Sequence, residues 1–427
     1  MTKANAYYYP LAVIATLFFI FGFLTWISGI LIPYFQICLQ LTNVEASLVA
    51  FAIYIAYFTF ALPSAKILQR LGYKNGMALG LMMMAIGTFL FIPAAYIRAF
   101  PLFLIGLFIT GSGTTLLQAA VNPYVAVIGT IESTAQRIGF MGLANKMAGI
   151  LCVVILGSVF LLDADEIVAK IEGSNAADVA LILDAYVLKV VKPYAIITLI
   201  LVVMSVLVYL SRLPEVNEKE NEIEEGGVYA AGGKKNVFQY PNLVFGVVCL
   251  FVSTACEGLP IDGIIIYSRA LGIPIEDGRV YIQYSLYAML LGYLASTILV
   301  PKYLNQQSTM FGCAILGIIL SFGCVLTEGI LSVYLLIFTA FGGAMLWGLI
   351  WGLSLRGLGR HTKTGSAILL MAVVGGGLFP LAFGKLIDIN PAYPQWSVLL
   401  LIPCYIVLLL YSIWWYKLNH WSAEPKN

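Results

Sequence analysis

Lys146, Glu257 and Asp262 are the three charged residues expected deep within apolar stretches of this 427-residue chain, which carries 23 basic and 21 acidic side chains in all. A charge near the centre of a bilayer costs from about 3 to more than 10 kcal/mol unless it faces a cavity and finds a partner. Three such charges mark a transport pathway. A buried lysine can lose its proton and a buried carboxylate can bind a cation, so the trio is read as an ion-coupling site for a proton or a sodium ion. The alternative is a static salt bridge that only fixes packing. Glu257 and Asp262 stand about 140° apart on a regular helix, so both address one cavity only if the helix is irregular. Gly258, Pro260 and Gly263 provide the means for a break.

A small polar solute crossing here needs neutral donors and acceptors for its polar groups and flat apolar walls for its C–H faces. Gln118, Asn122 and Asn145 supply amides in what should be neighbouring helices, with Asn122 placed before Pro123, whose missing N–H frees a carbonyl. Trp347 and Trp351, one helical turn apart, supply a stacking wall. A buried amide also serves as glue between helices, and a tryptophan as an interfacial anchor. Tyr34, Gln36, Tyr54, Tyr57, Gln283, Tyr284 and Tyr287 are lesser candidates.

The elements that must position these groups are membrane helices. Hydrophobic residues make up 61% of the chain and charged residues only 10%, an excess that no water-facing surface accommodates. A bilayer core about 30 Å thick needs roughly 20 apolar residues per helix, and twelve runs of that kind occur. They fall near 10–36, 45–68, 76–97, 101–128, 137–162, 187–211, 238–268, 280–300, 309–327, 331–355, 365–388 and 396–417. Stretches such as Ile196–Leu210 do not alternate in polarity, which favours a helical bundle strongly over a closed barrel. The first run continues past Pro33 with no small-residue cleavage site, so it reads as a helix and not an export signal.

Residues 213–236, rich in glutamate and then glycine, form a polar linker between an N-terminal six-helix half (1–212) and a C-terminal six-helix half (237–427). Lysine and arginine concentrate at the N-terminus and after even-numbered helices, which places both termini in the cytoplasm. On that side Glu132 and Arg137 flank one turn, and Arg356 and Arg360 flank the matching turn of the second half, as gate-side charges or simply as surface anchors. A second polar insertion, 163–192, lies on the outer side, and its stretch Ala176–Leu188 has the pattern of a short surface helix.

Other chemistries find little footing. There is no His in a membrane run and no HExxH or GxSxG motif, so no catalytic residue is assigned. No GxxxxGK[ST] motif is present, and the seven cysteines, without a CxxC, point to neither a metal site nor a disulfide framework. No cofactor, metal or nucleic acid is expected; the expected partners are a small polar solute, which the resemblance described next implies to be a sugar, a coupling ion and the lipid bilayer around a monomer.

Two six-helix halves joined by a long linker match the architecture of major facilitator transporters, whose site lies at mid-membrane between the halves. The basic loop Pro63–Gly76 resembles the one that superfamily places between its second and third helices. Phe21–Tyr34, Gln118–Tyr124, Glu132–Arg137, Asn145–Gly149 and Gly357–Ala367 resemble its fucose–galactose–hexose group, most nearly the bacterial glucose/galactose-type sugar transporters. The fucose–proton branch carries acids where this chain has Gly29 and Gln118, so that coupling scheme does not transfer. The glucose/galactose branch resembles this chain in the Asn145-Lys146 pair and in Glu257 followed by Asp262. It tends to have Asn near Gly343 and Pro near Gly348, so these glycines imply a different sugar or a larger one. The resemblance implies an all-α, twelve-helix protein of the bacterial inner membrane, moving a hexose or deoxyhexose by alternating access in cation-coupled symport. The alternatives are an uncoupled sugar facilitator, or a carrier of another small polar solute.

Overall fold

The computed structural model describes residues 3–127, 134–211, 213, 236–300, 303–355, 358 and 362–418. The first span is α1 (Lys3–Thr25) and α2 (Ser28–Cys38), broken at Trp26 and Ile27. Next come α3 (Asn43–Phe89), the short α4 (Phe91–Tyr96), α5 (Phe100–Val127) and α6 (Thr134–Phe160). Two amphipathic helices, α7 (Ala164–Glu172) and α8 (Ala176–Val187), precede α9 (Val191–Leu210). The second series begins with α10 (Pro241–Gly258) and α11 (Ile264–Ala270), separated by a π-helical turn. It continues through α12 (Ile275–Leu299), α13 (Gln306–Leu326), α14 (Gly329–Leu355), α15 (Thr362–Met371), α16 (Gly375–Ile389) and α17 (Leu401–Leu418).

Among the described residues eleven helical stretches are long and apolar enough to cross a membrane, and the longest, Asn43–Tyr96, spans 54 residues. It contains two of the twelve expected crossings. At Gly72 the backbone takes φ 76° and ψ 172°, a left-handed conformation that breaks the helix and that glycine adopts without Cβ strain. The basic segment Pro63–Gly76 is therefore helical almost throughout and turns at that one residue. Side chains of α9 such as Ile196, Leu199, Leu207 and Leu210 are mostly exposed, which only a lipid surround makes tolerable.

The first six and last six spans meet along two seams, α6 against α12 and α3 against α16. A third contact joins α2 to the π turn. The 163–192 insertion adds to this boundary. The expected surface helix is present as α8, and α7 comes as an addition, with Asp165 and Glu166 in its first turn and Lys170 in its last, as the helix dipole favours. Lys189 pairs with Asp163 at 2.5 Å, tying the two ends of the insertion to each other, and Arg98 pairs with Asp184 at 3.0 Å, tying it to the loop before α5. The Tyr34 hydroxyl donates to the carbonyls of Tyr186 and Val187, holding α8 against α2. On this same side Arg279 of α12 donates to Ser158 of α6 at 3.4 Å, and Asn43 of α3 donates to Asp388 of α16 at 2.5 Å.

Candidate ion and substrate site

The π turn Leu259–Gly263 interrupts the seventh span where Pro260 removes one backbone donor. The irregularity lets Glu257 and Asp262 both address the first six spans, though not the same partner. Glu257 Oε1 accepts from Lys146 Nζ at 2.8 Å, with the two side chains 14% and 3% exposed. Asp262, 3% exposed, accepts from the Ser28 hydroxyl at 2.6 Å through Oδ1. Its Oδ2 is buried without a hydrogen-bond partner. Of the two pairings left open for Lys146, the fold selects Glu257. Asp262 instead meets the first span at the break that begins α2.

Lys146 is held by more than its carboxylate. Its ammonium lies 3.7 Å from the centroid of the Trp26 ring and 5.2 Å from that of Tyr293. These distances are those of cation–π contact, which gains strength where water is excluded. Trp26 also donates its indole N–H to Asn145 Oδ1 at 3.1 Å. The packing behind this is reciprocal. A Cβ on Gly22 would lie 2.6 Å from the Asn145 carbonyl oxygen, and one on Gly149 would lie 2.6 Å from the Trp26 ring. Each helix thus offers a glycine opposite the other's large side chain one turn apart, so α1 and α6 approach closely.

Gln118 donates to the Tyr57 hydroxyl at 2.9 Å, joining α5 to α3. Asn122, one turn further along α5, is exposed. The amides of Gln118 and Asn145 therefore address different neighbours, and the three expected amides do not share one partner. Trp347 and Trp351 are half-buried, with ring centroids 6.1 Å apart and planes tilted by 42°. The indole N–H of Trp351 is buried without a partner. Glycine at 343 does not leave room for a larger sugar: a Cβ there would lie 2.7 Å from the Cys256 carbonyl and 3.3 Å from Glu257 Cα. It lets α14 rest on α10 beside the ion pair. At Gly348, in contrast, nothing lies within 4 Å of that position.

Glu132, Arg356 and Arg360 fall outside the described residues, as does most of the 213–236 linker. Arg137 lies in the first turns of α6. Trp26, Ser28 and Tyr293 are the site residues that sequence reading passed over. Trp26 and Ser28 lie inside the Phe21–Tyr34 motif, but neither charge nor spacing sets them apart from its other members.

Residues 14–380 match the model of the Major Facilitator Superfamily. The chain belongs to this superfamily. Among its relatives, a glucose/galactose transporter of Brucella abortus biovar 1 (strain 9-941) is 30% identical over 411 residues, covering 95% of this chain and 94% of that one. The L-fucose-proton symporter of Escherichia coli (strain K12) is 26% identical, covering 96% and 94%. The crystal structure of the superfamily transporter FucP in the outward conformation superposes with a TM-score of 0.70 at 23% identity, covering 96% of this chain and 99% of that one. The twelve-helix, all-α major facilitator fold expected from the sequence is therefore the fold of this protein, and its glycine-turned α3 and broken first and seventh spans are features within it.

Proposed function

We propose that this chain moves a monosaccharide, a hexose or deoxyhexose, across the bacterial inner membrane by alternating access in symport with a proton. The observation that carries this reading is the buried Lys146–Glu257 pair, which bridges the fifth and seventh spans and so lies between the two series of helices that must rock against each other. A pair in that position is broken and remade when access alternates, and its charge state can be tied to the direction faced. The relatives named for glucose/galactose and fucose–proton transport support sugar as the cargo and the proton as the ion.

In this scheme residues 1–212 and 237–427 are the moving halves, 213–236 is their cytoplasmic tether, and both termini are cytoplasmic. Lys146, Glu257 and Asp262 handle the ion. Gln118, Asn122, Asn145, Trp347 and Trp351 contact the sugar, and Glu132, Arg137, Arg356 and Arg360 serve the cytoplasmic gate. The 163–192 insertion lies outside, and its contacts close that face. The working unit is a monomer.

Uptake of labelled hexoses and deoxyhexoses into reconstituted vesicles, with pH and sodium gradients imposed separately, tests the proposal. Accumulation of one sugar driven by an acidic exterior is the expected result. Saturable flux that never exceeds equilibrium under either gradient makes the protein a facilitator and reduces the charged trio to packing.

A further inference from the structure

Trp26 touches both a proposed sugar amide, Asn145, and the buried ion pair. Its N–H edge reaches Asn145 Oδ1 at 3.1 Å, and its ring face lies 3.7 Å from the Lys146 ammonium. The residue is 5% exposed and sits in the two-residue break between α1 and α2, with its backbone N–H still bonded to the Gly22 carbonyl one turn back at 3.2 Å. Gly149, one turn beyond Asn145, makes the space the indole fills. Three members of the run Asn145–Gly149 are thus organised around a single tryptophan.

We infer that Trp26 is a positioning residue with two separable tasks, set by its two surfaces. The indole N–H occupies Asn145 Oδ1 and thereby fixes the amide's NH2 group, which lies against α1, 2.6 Å from where a Cβ on Gly22 would stand and 3.5 Å from the Phe18 carbonyl, and leaves its second hydrogen for an incoming acceptor. A sugar hydroxyl oxygen is such an acceptor. The ring face holds the Lys146 ammonium beside Glu257 by the attraction of a cation for π-electron density in a buried site. Because one rigid side chain does both, a shift of Asn145 on sugar binding moves the ring over Lys146. The charged and titratable groups around this lysine are Glu257 on the seventh span, Tyr293 on the eighth, and Trp26 itself as its aromatic wall. This inference rests on the reading of the protein as a sugar–proton symporter.

Trp26→Phe and Trp26→Leu separate the tasks, since phenylalanine keeps an aromatic face but has no N–H, and leucine has neither. In vesicles, downhill sugar flux gives KM and kcat, and a pH gradient gives the accumulation ratio. Trp26→Phe is expected to raise KM about tenfold, as the loss of one orienting hydrogen bond does, with the accumulation ratio within about twofold of wild type. Trp26→Leu is expected to raise KM similarly and also to lose accumulation above equilibrium while downhill flux persists. Should Trp26→Leu fail to fold, Trp26→Met, whose longer and more flexible side chain adapts better to the space of the indole, carries the same test. A wild-type KM in Trp26→Phe, or wild-type accumulation in the leucine or methionine variant, overturns the inference. Wild-type protein that accumulates no sugar overturns the symport reading beneath it, and is recognised without any variant.

Discussion

The backbone N–H of Glu276, at the start of α12, donates to the carboxylate of Asp165 in α7 at 2.9 Å, and that of Ile275 donates to the same carboxylate at 3.1 Å. A helix of the last six spans is thus capped by a residue inserted among the first six. The local candidate for the cap, Pro274, offers no side-chain hydrogen bond. An acid on the orphan N–H groups of a helix N-terminus is favoured by both hydrogen bonding and the helix dipole. The contact lies beside Arg279–Ser158 and on the same face as Asn43–Asp388, so that face is closed by polar contacts that must separate for it to open.

Asp165→Ala should loosen this face. Loss of a cap costs about 1 kcal/mol, which shifts a two-state balance by about fivefold. Labelling of a Ser158→Cys probe by a membrane-impermeant maleimide should speed up accordingly in the Asp165→Ala background. An unchanged rate would mean that the cap is incidental to closure.

Lys146 and Glu257 should behave as a unit. Removing one partner of a buried ion pair leaves an uncompensated charge and costs about 3–5 kcal/mol, whereas removing both costs less. Thermal unfolding in detergent should therefore show Lys146→Ala or Glu257→Ala less stable than the double variant. If the double variant is as destabilised as the sum of the singles, the two groups do not interact.

Asp262→Asn keeps the shape and the acceptor for Ser28 but removes the ionisable group. Its melting temperature should stay near that of wild type. Wild-type accumulation should grow as the exterior is made more acidic than the interior, because a symported proton then runs downhill inwards. The variant should exchange sugar yet lose this pH response; retention of the full response would place the proton elsewhere.

Gln118→Leu removes the donor to Tyr57 and one proposed sugar contact together. KM should rise by about tenfold, the consequence of about 1–1.5 kcal/mol for a lost hydrogen bond, with kcat little changed. A fall in kcat at constant KM would assign the pair to helix movement and not to binding.

Gly22→Ala tests the closeness of α1 and α6. A methyl group there falls 2.6 Å from the Asn145 carbonyl, and overpacking of this kind costs about 1–3 kcal/mol. Lower thermal stability and a raised KM should appear together, because the displaced residue is a proposed sugar ligand. Wild-type stability would show that the seam yields easily.

Composition and run length were enough to read the class, the number of crossings and the location of the buried charges. Those properties depend on the cost of placing polar groups in hydrocarbon, a cost that each residue carries wherever its neighbours lie. The irregular seventh span was legible for the same reason, since Pro260 breaks a hydrogen-bond ladder in any context. Which carboxylate meets Lys146 was a different kind of question. Glu257 and Asp262 are chemically near-equivalent on paper, and only the extra residue in the π turn, with the break at Trp26–Ile27, assigns one to the lysine and the other to Ser28. Trp26 itself is one of 7 tryptophans in a chain with 24 phenylalanines and 25 tyrosines, so its type carried no signal. Its place between Asn145 and Lys146, the rest of α14 on Glu257 through Gly343, and the capping of α12 by Asp165 all join residues more than 80 positions apart. Such contacts arise from how helices approach one another. That approach depends on the summed packing of whole surfaces, which no local pattern of residues encodes.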